Sequence, residues 1–92
     1  MNKDEIFEKV KEIIVKHNPL KLSATSIASG GYDADVEGIA LYMADRSNTI
    51  NHVTIPKRVL FVFKNSFTKE TAVDGPYILK RISDEISQKV KV

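Results

Sequence analysis

Three acidic side chains within five residues form the densest group of candidate catalytic or metal-binding residues in this sequence. Asp33 and Glu37 are four residues apart and share one face of a predicted helix, with Asp35 between them. Carboxylates and an imidazole together can bind a divalent cation, and histidines occur at positions 17 and 52. A metal-dependent enzyme that uses residues 33–37 is therefore one alternative. Acids also suit the start of a helix, where the dipole stabilises negative charge, and we favour that role.

Other catalytic signatures are absent from the sequence. It contains seven serines but no G-x-S-x-G elbow, and it has no cysteine that could supply a thiolate. The Gly-rich stretch 28–31 precedes a predicted helix, but it lacks the lysine of a phosphate-binding loop and is followed by acids. We therefore predict that the protein is not an enzyme, with no catalytic residue, no cofactor and no metal.

A basic segment follows the acidic one along the chain. Residues 32–46 carry a net charge of −3, whereas residues 47–69 carry +4 and contain no acid. Lys57 and Lys64 are seven residues apart and share a helix face, with Arg58 about 100° away. Contacts to two or three phosphates give only weak, salt-sensitive binding. A weak nucleic-acid binder that uses the basic face 57–64 is thus a second alternative, and we regard nucleic acid as the less favoured partner.

Protein binding is the function that we predict, in the role of an adaptor, regulator or inhibitor that occupies a partner's surface. The acidic and basic segments either satisfy each other within the monomer or form complementary patches for self-association or another protein. Tyrosine and other aromatic side chains are typical interface anchors. The predicted partner-binding residues are Tyr32, Asp33, Asp35, Glu37, Lys57, Arg58, Leu60, Phe61 and Lys64.

Composition predicts one folded domain that spans residues 1–92. The hydrophobic fraction of 42% is ordinary for a folded protein, and the net charge of +2 is too small to indicate nucleic acid by itself. The first ten residues carry acids where a signal peptide would be apolar. No apolar run approaches the ~20 residues that span a membrane. These features, with the absence of cysteine, predict a cytoplasmic protein and no membrane partner.

Apolar residues recur at the helical period in three segments that polar or proline residues bound. Asn2 is the predicted N-cap of the first segment, and Asn18-Pro19 ends it. Asp33 is the predicted N-cap of the second, which Gly38 interrupts. Between them, residues 18–31 predict a long loop that lays leucine and isoleucine side chains on the core, or a short strand. The three predicted helices are residues 2–17, 32–46 and 75–90.

The stretch from Ile55 to Phe67 is the most apolar in the chain and must contribute much of the core. A helix is favoured because Pro56 suits a first helical turn after a Thr54 cap, and because the apolar pattern extends to Phe67. The predicted fold is therefore all-α, a compact four-helix bundle. The alternative is an α+β fold in which residues 59–63 form a buried strand. On the helical interpretation, Leu60 and Phe61 fall outside the inward stripe, and they mark a contact surface if they are exposed.

Several short motifs resemble a family of short bacterial proteins of unknown function. They are EIIVKHNPL, GGYDADVEGI and VFKNSF, which combine a polar-Pro helix end, a Tyr-Asp-x-acid helix start and a Ser-Phe helix end. Family members typically have Trp-Asp-Pro where this chain has His17-Asn18-Pro19. The resemblance spans residues 6–67 and implies an all-helical fold. It implies no mechanism, because no activity is assigned to the family.

Overall fold

A computed structural model describes residues 1–91, and the elements found in that range are all helices. The predicted all-α fold is therefore confirmed, and residues 59–63 lie inside a helix rather than in the alternative buried strand. Four long helices were predicted, and a short fifth one lies in the segment after the first. The helices are α1 (Lys3–His17), α2 (Ala24–Ala28), α3 (Asp33–Ala44), α4 (Thr54–Phe63) and α5 (Gly75–Lys89).

The four long helices pack in a ring around one apolar core. Helix α1 contacts α3 and α5, and α4 contacts the same two helices. Each long helix therefore turns an apolar stripe inward. Within residues 1–91, no helix combines the length and the apolar character needed to cross a bilayer. The buried apolar residues are Ile6, Val10, Ile13, Ile14, Tyr32, Val36, Ile39, Ala40, Met43, Ile55, Val59, Phe63, Leu79, Ile82, Ile86 and Val90.

Both ends of α1 are capped as the sequence predicts. The Asn2 Oδ1 atom accepts a hydrogen bond from the Glu5 backbone N–H at 2.9 Å. At the other end, Asn18 adopts the left-handed conformation (φ 46°, ψ 61°), and its N–H donates to the carbonyl of Ile14. Asparagine tolerates this conformation better than most residues, and Pro19 then prevents the helix from continuing.

The predicted caps of α3 and α4 are wrong. Tyr32, not Asp33, occupies the N-cap position of α3, and Asp33 is the first helical residue. Thr54 likewise lies inside α4. The capping acceptor there is the Asn51 Oδ1 atom, which accepts from the backbone N–H groups of Val53 and Thr54 at 2.8 and 3.0 Å. Asparagine favours such turns because its short side chain reaches the backbone two or three residues ahead.

The segment between α1 and α3 is more ordered than a long loop. It contains α2, whose N-cap Ser23 accepts a hydrogen bond from the Ser26 N–H at 3.1 Å. The prediction that its apolar side chains rest on the core is confirmed, because Leu20, Leu22 and Ile27 are partly buried against it. The prediction of a short strand is wrong. Serine side chains that bond to the local backbone favour this compact turn over an extended chain.

Helix α4 ends earlier than its apolar pattern suggests. Its last residue is Phe63, and the Ser66 N–H donates to the Phe63 carbonyl at 2.9 Å in the turn that follows. Phe67 thus packs from outside the helix. Its ring lies against Gly75, where a Cβ atom would come within 2.7 Å of the ring. Gly75 at the start of α5 therefore allows Phe67 to cover this end of the core.

Candidate interaction surface

Helix α4 has a buried side and an exposed apolar side. Ile55, Val59 and Phe63 face the core and are buried. Leu60 and Phe61 are 54% and 57% exposed, although both are large apolar side chains. The prediction left the exposure of these two residues open, and the structure decides it. We use the name α4 face for the predicted residues of this side, which are Lys57, Arg58, Leu60, Phe61 and Lys64.

Arg58 is held in place by three contacts. Its Nε atom donates a hydrogen bond to the Gly38 carbonyl on α3 at 3.1 Å. Its guanidinium carbon lies 4.9 Å from the centre of the Phe61 ring and 5.2 Å from that of Tyr42. An arginine between two aromatic rings gains cation–π attraction and loses rotamer freedom. Its position is therefore set before any partner arrives.

Gly38 allows this arrangement because it brings α3 and α4 close together. A Cβ atom at this position would lie 3.3 Å from the Val62 Cγ2 atom, closer than ordinary packing. Gly38, which interrupts the predicted helix, thus lies where the Val62 side chain of α4 approaches α3. The missing side chain also leaves the Gly38 carbonyl accessible to Arg58.

The Phe61 ring lies next to two positive charges. The Lys64 Nζ atom is 5.3 Å from the centre of the ring, which the Arg58 guanidinium also approaches. Lys57 is exposed one turn before Phe61 and lies on the same outward side of α4. The result is an apolar centre surrounded by cations, a pattern seen where apolar anchors are combined with charge steering.

Two shallow grooves flank α4, each with a volume of about 200 Å³. Phe61 borders the groove on the α3 side, together with Tyr42, Thr54, Lys57 and Arg58. Leu60 borders the groove on the α5 side. The α5-side groove is lined by Pro56, Leu60, Pro76, Leu79, Lys80 and Ser83. Both grooves are too small for a deep ligand site, and each can seat a single side chain.

The cations of the α4 face have no ion-pair partner in residues 1–91, whereas several lysines elsewhere in the chain are paired. Lys11 pairs with Asp33, and Lys21 pairs with Asp74. Glu85 alone pairs with Lys16, His17 and Lys89, at N–O distances of 2.7, 2.6 and 3.1 Å. Within residues 1–91, the acids are thus paired elsewhere or lie beyond ion-pair distance of the α4 face.

The acidic candidates do not form a metal site in the described part of the chain. Asp33 lies 3.2 Å from the Lys11 Nζ atom, and Glu37 is exposed without an ion pair there. Asp35 is half-buried, and burial raises the pKa of its carboxyl. His17 lies against Glu85 rather than near these acids. No group of three or more metal-binding side chains comes together in residues 1–91.

The prediction that Tyr32 binds a partner is wrong, because this residue is only 1% exposed. Its hydroxyl donates to the Asn18 Oδ1 atom at 2.5 Å and accepts from the Leu20 N–H at 2.9 Å. Burial raises its pKa, and its ring packs edge-on against Phe63 with centroids 6.3 Å apart. Tyr32 therefore connects the segment between α1 and α3 to the core.

Tyr42 contributes to the candidate surface, although it was not among the predicted partner-binding residues. It is half-buried on α3 and lines the groove next to Phe61. The sequence signal was its position off the inward stripe of α3, which indicates contact with a neighbouring element. Its partner could not be inferred, because Arg58 lies 16 residues further along the chain.

Comparison with known proteins gives no family and no relative. No family model matches the sequence, and neither a curated protein nor a solved structure is similar to it. The resemblance to short bacterial proteins stays a prediction. The function must therefore be argued from the surface itself.

Proposed function

We propose that this is a small cytoplasmic protein-binding module, an adaptor, regulator or inhibitor, whose α4 face binds an acidic protein surface. One observation carries the proposal. Two adjacent large apolar side chains, Leu60 and Phe61, are more than half exposed among three cations that have no ion pair in residues 1–91.

Binding by this face has a simple physical basis. Covering Leu60 and Phe61 removes apolar area from water, which is favourable by about 25 cal/mol per Å². Aromatic and arginine side chains also dominate the binding energy of many interfaces. Arg58 is already fixed by its contacts with Gly38 and Tyr42, so little rotamer entropy is lost when a partner binds it.

An acidic partner is favoured because the charge of this region is uncompensated. Residues 47–69 carry four basic side chains and no acid. Partner carboxylates next to Lys57 and Lys64 would steer association and fix the orientation of the complex. Binding should therefore weaken as salt increases, since exposed charges are screened over about 8 Å at physiological ionic strength.

Single-stranded nucleic acid is a second candidate, favoured by the placement of Phe61 between Arg58 and Lys64. An exposed aromatic ring among cations can stack on a base. Three cations neutralise few phosphates, so binding of an oligonucleotide should vanish at ~0.2 M salt. Fluorescence anisotropy with a labelled oligonucleotide measures this, and binding that persists at that salt concentration would favour nucleic acid over protein.

Photo-crosslinking in the cell of origin tests the proposal. A photoreactive amino acid in place of Lys80 lies on the rim of the α5-side groove and leaves the α4 face intact. We expect protein adducts that disappear in the Leu60→Ser/Phe61→Ser variant. The matched control is Val73→Ser/Tyr77→Ser, which removes two other apolar side chains that are 77% and 74% exposed.

The control decides what the adducts mean. Adducts that persist in the control and disappear in the α4-face variant support the proposal. Adducts that are equal in all three proteins, or that disappear in both variants, would show that the α4 face does not select a partner. Thermal unfolding of each variant checks that all of them are folded, as expected for surface substitutions, which usually change stability by less than ~0.5 kcal/mol.

A further inference from the structure

Helix α3 has an outward face that is opposite in charge to the α4 face. Glu37 and Leu41 are four residues apart on one side of α3, and Asp45, four residues further on, is the C-cap residue that follows the helix. All three are exposed, and Leu41 is 44% exposed despite its size. Hydrogen bonds from Ser47 lower the pKa of Asp45, which keeps its charge negative. We use the name α3 face for Glu37, Leu41 and Asp45.

The two faces match in pattern and in length. On the α3 face, an apolar residue lies between two acids that are eight residues apart, or about 12 Å along the helix. On the α4 face, apolar residues lie between Lys57 and Lys64, which are seven residues apart, or about 10.5 Å. Two helices that lie side by side would therefore bring both acids near both lysines.

This complementarity is not used within one chain. Gly38 and Tyr42 are among the α3 residues that meet α4, and they contact Val62 and Arg58. Glu37 and Leu41 are exposed on another side of α3. In residues 1–91, no ion pair joins an acid of α3 to a cation of α4. A second molecule is required to bring the two faces together.

We propose that the occupant of the α4 face is a second copy of this chain, which presents its α3 face. Glu37 and Asp45 of one copy would pair with Lys57 and Lys64 of the other, and Leu41 would pack on Leu60 and Phe61. Helices α3 and α4 are neighbours, so a two-fold axis can make the contact reciprocal. This inference rests on the proposed function, because it names the partner of the same surface.

Sedimentation velocity of the purified protein is the first test, from ~10 µM to ~1 mM to cover weak association. We expect the mass to rise from one chain to two as concentration increases, and the association to weaken with salt. A protein that stays monomeric over this range at low salt would overturn the inference.

Charge reversal is the second and sharper test. Glu37→Lys/Asp45→Lys makes both faces basic, and Lys57→Glu/Lys64→Glu makes both faces acidic. Each variant alone should associate about tenfold or more weakly than the wild type, since the two attractive pairs in each of the two equivalent contacts become repulsive. An equimolar mixture of the two should restore the dimer, because every contact is again between opposite charges.

Controls with the same change in net charge complete the design. Glu12→Lys/Asp84→Lys and Lys3→Glu/Lys69→Glu change exposed residues outside both faces, and both should associate like the wild type. Undiminished association of either face variant alone, or a mixture that stays monomeric, would show that these faces do not meet.

The two proposals can fail separately. Crosslinks from position 80 to other proteins, together with a monomeric purified protein, would remove the second copy and leave the proposed function intact. A crosslinked adduct with the mass of two chains supports both. Adducts that do not depend on Leu60 and Phe61 would remove the proposed function, whatever the oligomeric state of the protein.

Discussion

The contact between α1 and α5 and the outward face of α4 use positive charge in opposite ways. Between α1 and α5, the Glu85 carboxylate collects Lys16, His17 and Lys89 within 3.1 Å. On the α4 face, Lys57 and Lys64 have no carboxylate partner in the described residues, and Phe61 lies between Lys64 and Arg58. The first arrangement joins two helices, whereas the second leaves charge and apolar area available to another molecule.

Because of this difference, substitutions in the two regions should have different effects, on folding in the first and on binding in the second. Polar and charged groups at the contact between α1 and α5 have partners within the chain, so their loss leaves other groups unsatisfied. Side chains of the α4 face have few such partners, so their substitution should mainly affect association. Four predictions test this division, and they are ordered by the size of the expected change in stability.

Phe63→Ala should destabilise the protein most, by ~3–5 kcal/mol, because a fully buried aromatic ring leaves a cavity. The matched substitution is Phe61→Ala, two residues earlier on the exposed side of the same helix, which should cost at most ~1 kcal/mol, since it removes only exposed cation–π contacts. Urea unfolding measures both. Equal losses for the two variants would abolish the distinction between the two sides of α4.

Tyr32→Phe should destabilise by ~1–3 kcal/mol, because it leaves the Leu20 N–H without its hydrogen-bond acceptor. Tyr77→Phe is the control, since this side chain is exposed and its hydroxyl remains in water in the unfolded and folded chain. Thermal unfolding compares the two variants. A Tyr32→Phe protein as stable as the wild type would mean that water replaces the lost acceptor.

Acid should weaken the contact between α1 and α5 through Glu85. Hydrogen bonds from Lys16, His17 and Lys89 lower its pKa from 4.5 to about 2. A lowered pKa in the folded state means that the stabilisation is complete above pH 4.5 and is lost as pH falls toward 2. Glu85→Gln should reduce the slope of stability against pH in this range, measured by urea unfolding. Asp84→Asn, one residue earlier and exposed, should leave that slope closer to the wild type.

Lys57→Gln/Lys64→Gln should have the smallest effect on stability, below ~0.5 kcal/mol, because neither lysine has an ion pair to lose in residues 1–91. The same variant should lose the α4-face crosslinks and the salt dependence of association. Unfolding curves and sedimentation velocity measure the two effects. A marked loss of stability with unchanged association would mean that these lysines contribute to folding and not to binding.

Local patterns in the sequence predicted the helices and the inward stripe of α4. Asn2, Asn18-Pro19 and the apolar period act within a few residues, so they can be read without tertiary contacts. The α2 turn and the Asn51 cap were missed, because several nearby polar side chains can serve as caps and only the packed chain selects among them. The α4 face was predicted as a set of basic and apolar residues, with the exposure of Leu60 and Phe61 left open.

The sequence by itself favoured a helical fold over a strand at residues 59–63, and it determined that the acidic and basic segments are separate. These properties depend on composition and spacing along the chain. Only the tertiary structure decided that Tyr32 is buried against Phe63, that Asp33 pairs with Lys11, and that the α4 face has no ion pair within residues 1–91. Such outcomes depend on which helices become neighbours, and distant residues meet only after the ring of helices has closed.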